Sequence, residues 1–216
     1  FRLDRDDDFI LTGKRHDFRA DIRVGFDAEG MIKGVDGLLA SRCGYGHDLS
    51  RAINDRAMFH ADNGYFYPEL ELTSLRTRTD TVSNTAFRGF GGPQGMMLAE
   101  RVVDLVAASV QRDPLDVRMA NLYGEGERGV TPVGMQVEDN ILPQLMPELA
   151  KTSDYRARRA AIIDANAAAG RSPIRRGIAL TPVRFGISFT TSFLNQAGAL
   201  INIYKDGSVL LNHGGT

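Results

Sequence analysis

The residues best suited to chemistry form one glycine-rich segment, Asn84 to Gly95. Four glycines surround Arg88 there, and glycine lets backbone amides approach a ligand closely. Free N–H groups at the start of the helix that follows would add the positive end of a helix dipole. These features predict an anion site, although the segment matches neither the dinucleotide fingerprint nor the P-loop. A glycine-rich turn that only leads into a helix is the alternative.

Aromatic side chains lie inside the same segment, at Phe87 and Phe90. An aromatic side chain on a loop can stack on a planar ligand, or it can anchor the loop to the core. Upstream, Arg56 lies between apolar neighbours, where a half-buried arginine needs a partner. That partner is either Asp55 or Asp62 in a structural ion pair, or an oxygen of a ligand.

Other groups carry weaker signals. The histidines, His16, His47, His60 and His213, show no metal-ligand spacing, and no Ser/His/Asp arrangement stands out. The acidic run Asp4 to Asp8 is interpreted as a solvated turn whose charge could bind a cation. Neither group predicts a catalytic site on its own.

The elements that position these residues predict an α+β fold with helices clustered in the middle. Apolar alternation on both sides of Asp27-Ala28-Glu29-Gly30 predicts a hairpin over residues 18–40, and Ala199 to Leu211 repeats the plan around Lys205-Asp206-Gly207. Spacings of three and four from Leu98 to Val110 predict a core-facing helix. Further helices are expected over residues 113–124, 141–150 and 155–169, with a loop over 124–140.

Composition narrows the class of protein. The 216 residues carry 26 Lys plus Arg against 27 Asp plus Glu, which argues against nucleic-acid binding. Cys43 is the only cysteine, so we expect a reducing compartment and an inert core thiol. No apolar run reaches the length of a membrane helix, and the default location is cytoplasmic. Because the chain opens at Phe1 and stops after a strand-like run, we interpret it as an internal piece of a longer polypeptide.

Several long motifs, taken in order, resemble one family. They are Asp4 to Asp8 with Thr12 to His16, then Asn84 to Gly95, Phe185 to Thr190, Leu194 to Ala199, Asp206 to Val209, and His213 to Thr216. The sequence resembles the molybdopterin-binding part of the xanthine dehydrogenase and aldehyde oxidase family of molybdenum hydroxylases. The resemblance covers essentially the whole chain, which makes it far more specific than a single glycine loop.

The resemblance implies a large molybdopterin-binding domain of two halves with molybdenum-molybdopterin between them. Residues 1–140 would form the C-terminal part of the first half, and residues 141–216 a helical connection and the start of the second. The implied reaction is hydroxylation of hypoxanthine and xanthine to urate, with electrons passed through 2Fe-2S and FAD to NAD. The implied partners are a purine substrate and iron-sulfur and FAD domains or subunits, in a homo- or hetero-oligomer.

The resemblance also implies roles for individual residues. Arg56 corresponds to the arginine that binds the purine and stabilises charge developing on its oxygen. Phe90 and Phe189 correspond to the two phenylalanines that enclose the heterocycle, Thr190 to a substrate contact, and Arg88 to a cofactor contact. Aldehyde oxidases usually lack arginine at the position of Arg56, so this residue favours a purine substrate.

Parts of the family's site lie outside the 216 residues: the general-base glutamate, a second substrate-binding glutamate and most cofactor contacts. We therefore expect the chain alone to hold no molybdopterin and to be inactive. Two other functions stay open. One is an enzyme closer to the aldehyde oxidases, and the other is a non-catalytic anion-binding scaffold that kept only the fold.

Overall fold

The computed structural model describes residues 2–214, so Phe1 and the Gly215-Thr216 end of the last motif lie outside the described residues. Two compact units divide between Phe185 and Gly186. Six helices and five strands are found in the described part, together with two short 3-10 turns, Gly126–Gly129 and Ser192–Leu194. In chain order they are α1 (Arg5–Leu11), β1 (Phe18–Phe26), β2 (Ile32–Gly44), α2 (Ser50–Phe59), β3 (Leu70–Arg78), α3 (Gly92–Ser109), α4 (Pro114–Asn121), α5 (Leu142–Thr152), α6 (Tyr155–Ala168), β4 (Ala199–Ile203) and β5 (Val209–His213). The expected α+β class is confirmed.

The first unit is built on a three-stranded sheet in the order β1-β2-β3. β1 and β2 form the expected antiparallel hairpin, and the Asp27 carboxylate accepts hydrogen bonds from the amides of Glu29 (3.2 Å) and Met31 (2.8 Å) to close its turn. Gly30 completes the turn at φ +79°, which a residue with a Cβ rarely adopts. β3 pairs with β2 in parallel. α2 therefore lies in the crossover between two parallel strands.

The helices after the sheet follow the sequence pattern closely. α3 buries Val102 and Val106 of the predicted stripe, but Leu105 is exposed. α4 begins at Pro114, with the Asp113 carboxylate accepting from the Leu115 amide at 2.9 Å, and ends at Asn121, three residues before its expected end. α5 and α6 start and end within two residues of their expected bounds. Together with β2 they enclose the main core, whose fully buried members include Tyr65, Val103 and Leu115.

Two segments differ from the expected pattern. The acidic run is not a turn: Asp4 caps α1 by accepting from the Asp7 amide at 2.9 Å, and carboxylates in the first turn complement the helix dipole. The loop over residues 124–140 holds one 3-10 turn and an isolated bridge between Val130 and Gln136. This small amount of regular structure escapes a search for apolar periodicity.

The second unit contains the β4-β5 antiparallel hairpin. Its turn uses Gly207 at φ +84°, and the Asp206 carboxylate accepts from the Ser208 amide (2.9 Å) and hydroxyl (2.7 Å). The hairpin expected from Ala199 to Leu211 is thereby confirmed. The expected division of the chain at residue 140 stays a prediction beside the structural division after Phe185.

Candidate functional site

Helix α2 places Arg56 in the interior of the first unit. This helix buries polar side chains, Ser50, Asn54 and Arg56, together with the apolar residues Ala52, Ile53 and Ala57. Asn54 donates to the hydroxyl of Ser74 at 2.9 Å and accepts from that of Ser41 at 2.7 Å, and the Ser50 hydroxyl lies 2.7 Å from His16 Nε2. These hydrogen bonds fix the position of α2 against β2, β3 and the segment before β1.

The Arg56 side chain is only 5% exposed and lies against an aromatic ring. Its guanidinium carbon is 5.2 Å from the centre of the Phe185 ring. On the same ring, His60 packs at 4.9 Å between ring centres, and His60 Nδ1 donates to the Arg56 carbonyl at 2.9 Å. Burial lowers the pKa of Arg56 from its ordinary value, but arginine remains charged at neutral pH. The site therefore presents a buried cation against an aromatic face.

Histidine adds no positive charge here at neutral pH. Burial lowers the pKa of His60; the hydrogen bond to the Arg56 carbonyl opposes this shift, and the positive charges of Arg184 and Arg56 add to it. The ring is therefore neutral near pH 7, with its proton on Nδ1, which donates to a carbonyl. Arg56 thus has a neutral neighbour on the shared aromatic ring.

The two carboxylates proposed as structural partners of Arg56 have other arginine partners. Asp62 forms an ion pair with Arg184 at 2.5 Å and accepts a hydrogen bond from the Tyr123 hydroxyl at 2.5 Å. Burial raises the pKa of Asp62, while the charge of Arg184 and both hydrogen bonds oppose the rise. Asp55 Oδ2 lies 4.0 Å from the Nε atom of Arg51, which is one helical turn earlier in α2. The ion pairs of both acids therefore involve other arginines.

Arg184 anchors the segment that carries Phe185. Its Nε donates to the carbonyl of Asn63 at 2.5 Å, and its backbone amide donates to the Asn63 side chain at 3.1 Å. Asn63 in turn donates to the carbonyl of Pro182 at 2.9 Å. Residues 182–185 are thereby tied to the turn that follows α2, which places the Phe185 ring against Arg56.

The glycine-rich segment packs tightly against α2. A Cβ on Gly91 would lie 2.1 Å from the Ile53 carbonyl oxygen, and one on Gly95 would lie 2.2 Å from the Ala57 carbonyl oxygen. Gly91 also has φ +96°. The glycines at these two positions are needed for contact between protein segments, whereas the sequence suggested contact with a ligand. The consequence is that the start of α3 lies beside the turn of α2 that carries Arg56.

Donor groups near this segment fit an anionic or carbonyl-rich cofactor. The Arg15 guanidinium stacks on Phe87 at 4.4 Å and donates to the Arg88 carbonyl at 2.6 Å. In the part of the chain that the structure describes, Arg15 Nη1 and Gln94 Oε1 are buried without a hydrogen-bond partner. The α3 N-terminus has no side-chain cap, and the Arg88 side chain is exposed. The expected row of free amides is not found there, because Gly92 and Gly95 donate to the carbonyls of Gly89 (2.9 Å) and Gly91 (3.2 Å) and Pro93 has no N–H. The orphaned Arg15 donor and the exposed Arg88 suit phosphate or pterin oxygens.

Phe90 lies in the loop before α3, half-buried and at φ +51°. The other two substrate-binding candidates belong to the second unit. Phe189 is held by Asn195, which accepts from its amide at 2.8 Å and donates to its carbonyl at 2.9 Å. Thr190 follows it and is half-buried. Within the first unit the structure brings together Arg56, Phe185 and the glycine-rich segment, and it holds Phe189 and Thr190 in one defined loop of the second.

Residues 2–214 contain neither a metal-binding cluster of side chains nor a membrane-spanning helix. There is no group of three or more His, Cys, Asp and Glu side chains that could hold a metal ion, so the acidic run forms no such site there. Among the same residues, no helix is long and apolar enough to cross a membrane. Cys43 is 1% exposed, as expected for a core thiol.

Sequence comparison identifies the family of this chain. A family described as molybdopterin cofactor-binding domain matches residues 1–122, and a second family of the same description matches residues 148–216. The chain belongs to the molybdopterin cofactor-binding family. Molybdenum-molybdopterin is thus confirmed as the cofactor of the family, as the motifs implied.

Individual named proteins are similar to this chain over almost its whole length. The chain is 44% identical over 214 residues to xanthine dehydrogenase/oxidase of Mus musculus, covering 99% of this chain and 16% of the relative. It is 41% identical to xanthine dehydrogenase of Dictyostelium discoideum, with the same coverage. The chain is therefore similar to the molybdopterin-binding segment of xanthine dehydrogenases. It spans 16% of the length of these two relatives.

Solved structures agree on the fold. The aldehyde oxidoreductase of Desulfovibrio desulfuricans superposes with a TM-score of 0.67 at 22% identity, covering 92% of this chain and 21% of that one. Quinoline 2-oxidoreductase of Pseudomonas putida 86 gives 0.66 at 18% identity, covering 77% of this chain and 22% of that one. At such identities the likeness establishes the fold alone.

Proposed function

We propose that this chain is the purine-binding part of a molybdenum hydroxylase that converts hypoxanthine and xanthine to urate. The observation that carries the proposal is Arg56, a cation 5% exposed and stacked on Phe185, in a chain 44% identical to a xanthine dehydrogenase. A buried, preorganised cation stabilises negative charge that develops on an oxygen during reaction. A purine substrate with ring carbonyl oxygens supplies such charge, and a simple aldehyde lacks a second oxygen for this contact.

Each of the candidate site residues has a separate role in this proposal. Arg56 binds a purine oxygen and stabilises its charge in the transition state. Phe90 and Phe189 enclose the flat ring, and Thr190 contacts the substrate edge. Arg88 contacts the polar end of the cofactor. When bound, molybdenum-molybdopterin supplies the two-electron redox centre for the hydroxylation.

The hydroxylation releases electrons, so the proposed function includes groups that accept them. Each hydroxylation takes one oxygen from water and releases two electrons and two protons. In the complete enzyme the electrons pass through 2Fe-2S clusters and FAD, on other domains or subunits, to NAD. A cytoplasmic location and a homo- or hetero-oligomer belong to the same proposal.

Substrate-dependent reduction of acceptors tests this function. The complete enzyme that contains this chain is assayed for reduction of NAD and of an artificial dye with xanthine, hypoxanthine and an aromatic aldehyde in turn. Xanthine and hypoxanthine should support turnover, with urate as the product. Turnover of the aldehyde alone would favour an aldehyde oxidase-like enzyme. A complete protein that contains no molybdenum and hydroxylates none of these substrates would favour a non-catalytic scaffold.

A further inference from the structure

Phe185 lies at the meeting point of three constraints in the first unit. Its ring faces the Arg56 guanidinium at 5.2 Å and the His60 ring at 4.9 Å. On a third side it fills the space beside Gly92, where an added Cβ would lie 2.5 Å from the ring. The ring is confined on these sides, and Phe185 as a whole is 43% exposed.

The backbone beneath Phe185 is fixed as well. Arg184 is tied to Asp62 at 2.5 Å and to the Asn63 carbonyl at 2.5 Å. Both partners lie in the turn directly after α2, the helix that carries Arg56. Hydrogen bonds therefore connect the backbone that carries the Phe185 ring to the end of the helix that carries Arg56.

Arginine has a long side chain with about 2 kcal/mol of rotamer entropy. A guanidinium that must meet a substrate oxygen gains from being restricted before the substrate arrives. An aromatic face restricts it by attraction without neutralising it, in contrast to a carboxylate. Phe185 has the type and position for this task.

We propose that Phe185 is a positioning residue that holds Arg56 for purine oxygens and thereby favours purines over aldehydes. This inference rests on the proposed function, since it assigns Phe185 a part in the selectivity of the same site. Phe185 acts through Arg56 and not on the substrate, which separates it from the two phenylalanines proposed to enclose the ring.

Kinetics of the complete enzyme test the proposal. Phe185→Leu keeps an apolar side chain and removes the aromatic face, so kcat/KM for xanthine should fall roughly 3- to 30-fold. The loss should appear mainly in KM if Arg56 binds the substrate before the reaction, and mainly in kcat if it binds chiefly in the transition state. Turnover of an aromatic aldehyde should change less than about twofold, and Phe185→Tyr should restore xanthine turnover.

Phe66→Leu is the matched control. Phe66 faces the Arg128 guanidinium at 5.1 Å, so the change removes the same type of contact elsewhere in the unit. It should leave the ratio of xanthine to aldehyde turnover unchanged. A double-mutant cycle gives a further check, because Phe185→Leu should have no additional effect on xanthine turnover in an Arg56→Met background. An additional loss there would show that Phe185 acts independently of Arg56.

A structural measurement keeps this proposal separate from the proposed function. In crystals of the complete enzyme the Arg56 guanidinium should occupy one position in the wild type and in Phe185→Tyr, and several positions in Phe185→Leu. One ordered position in all three proteins, with an unchanged substrate ratio, would overturn the inference. A wild-type enzyme that fails to hydroxylate xanthine while Arg56 loses its order in Phe185→Leu would overturn the proposed function alone.

Discussion

Gly91 joins the glycine-rich segment to the helix that carries Arg56, and replacing it with alanine should destabilise the chain markedly. Two effects combine at this position. A residue with a Cβ at φ +96° is strained by about 1 to 2 kcal/mol. The added Cβ would also lie 2.1 Å from the Ile53 carbonyl oxygen, and overpacking of this kind costs about 1 to 3 kcal/mol. We therefore expect the free energy of unfolding to fall by about 2 to 5 kcal/mol.

Two other glycines separate the backbone strain from the collision. Gly126 has φ +62°, but an added Cβ would meet open space. Gly126→Ala should therefore lower the free energy of unfolding by only about 1 kcal/mol. Gly95 has no strained φ, but a Cβ would lie 2.2 Å from the Ala57 carbonyl oxygen, so Gly95→Ala reports the collision alone. Its loss should be about 1 to 3 kcal/mol, reduced by the higher helix propensity of alanine.

Urea unfolding followed by circular dichroism measures all three variants. Gly91→Ala should lower the free energy of unfolding by more than either control variant does. A loss at Gly91 equal to that at Gly126 would show that the segment does not press on α2. In that case the close contact between the loop and the helix that carries Arg56 would be wrong.

Three further predictions concern other parts of the chain. Arg118→Met should lower the free energy of unfolding by about 3 to 5 kcal/mol, because the Glu100 carboxylate, whose Oε2 lies 2.7 Å from Arg118 Nε, loses its cation. The same change at the half-exposed Arg156 should lower it by less than about 1 kcal/mol. Equal losses in urea unfolding would contradict this. Burial lowers the pKa of His16 and His60, so the unfolded chain takes up protons first and stability should decline as pH falls below about 6.5. His60→Asn should flatten that decline, and an unchanged pH dependence of the unfolding midpoint would contradict this. The purified chain alone should hold no tightly bound molybdenum, and a stoichiometric amount by elemental analysis would contradict that expectation.

Much of the fold follows from local sequence pattern. The β1-β2 and β4-β5 hairpins are marked by alternation around Asp and Gly turns, and α3 by its apolar spacing. These signals lie within short stretches of chain. They report which face of each element is buried without any knowledge of its partner.

The elements that the pattern did not reveal depend on distant contacts. α2 turns Ser50, Asn54 and Arg56 inward beside Ala52, Ile53 and Ala57, so polar side chains interrupt the apolar pattern of its buried face. β3 pairs in parallel with β2 across the whole of α2, and such a pairing leaves no local turn signal. A search for apolar periodicity therefore misses the region that carries the central arginine.

For the candidate site, the sequence indicated the residues but not their arrangement. Arg56, Arg88 and Phe90 stand out by type and by resemblance, whereas the Arg56-Phe185 stack joins residues far apart in the chain. Phe185 was visible only as the first residue of a motif that ends at Thr190. The glycines of the loop were also informative for a different reason from the expected one, since at Gly91 and Gly95 they allow close packing on α2.

The central claim is that Arg56 selects a purine, and Arg56→Met in the complete enzyme tests it most directly. Steady-state kinetics with xanthine and with an aromatic aldehyde measure kcat/KM for both substrates in the wild type and the variant. Loss of a preorganised charged contact should lower kcat/KM for xanthine by on the order of 100-fold or more, with aldehyde oxidation retained. Unchanged kinetics with xanthine would contradict the claim and would return Arg56 to a purely structural role.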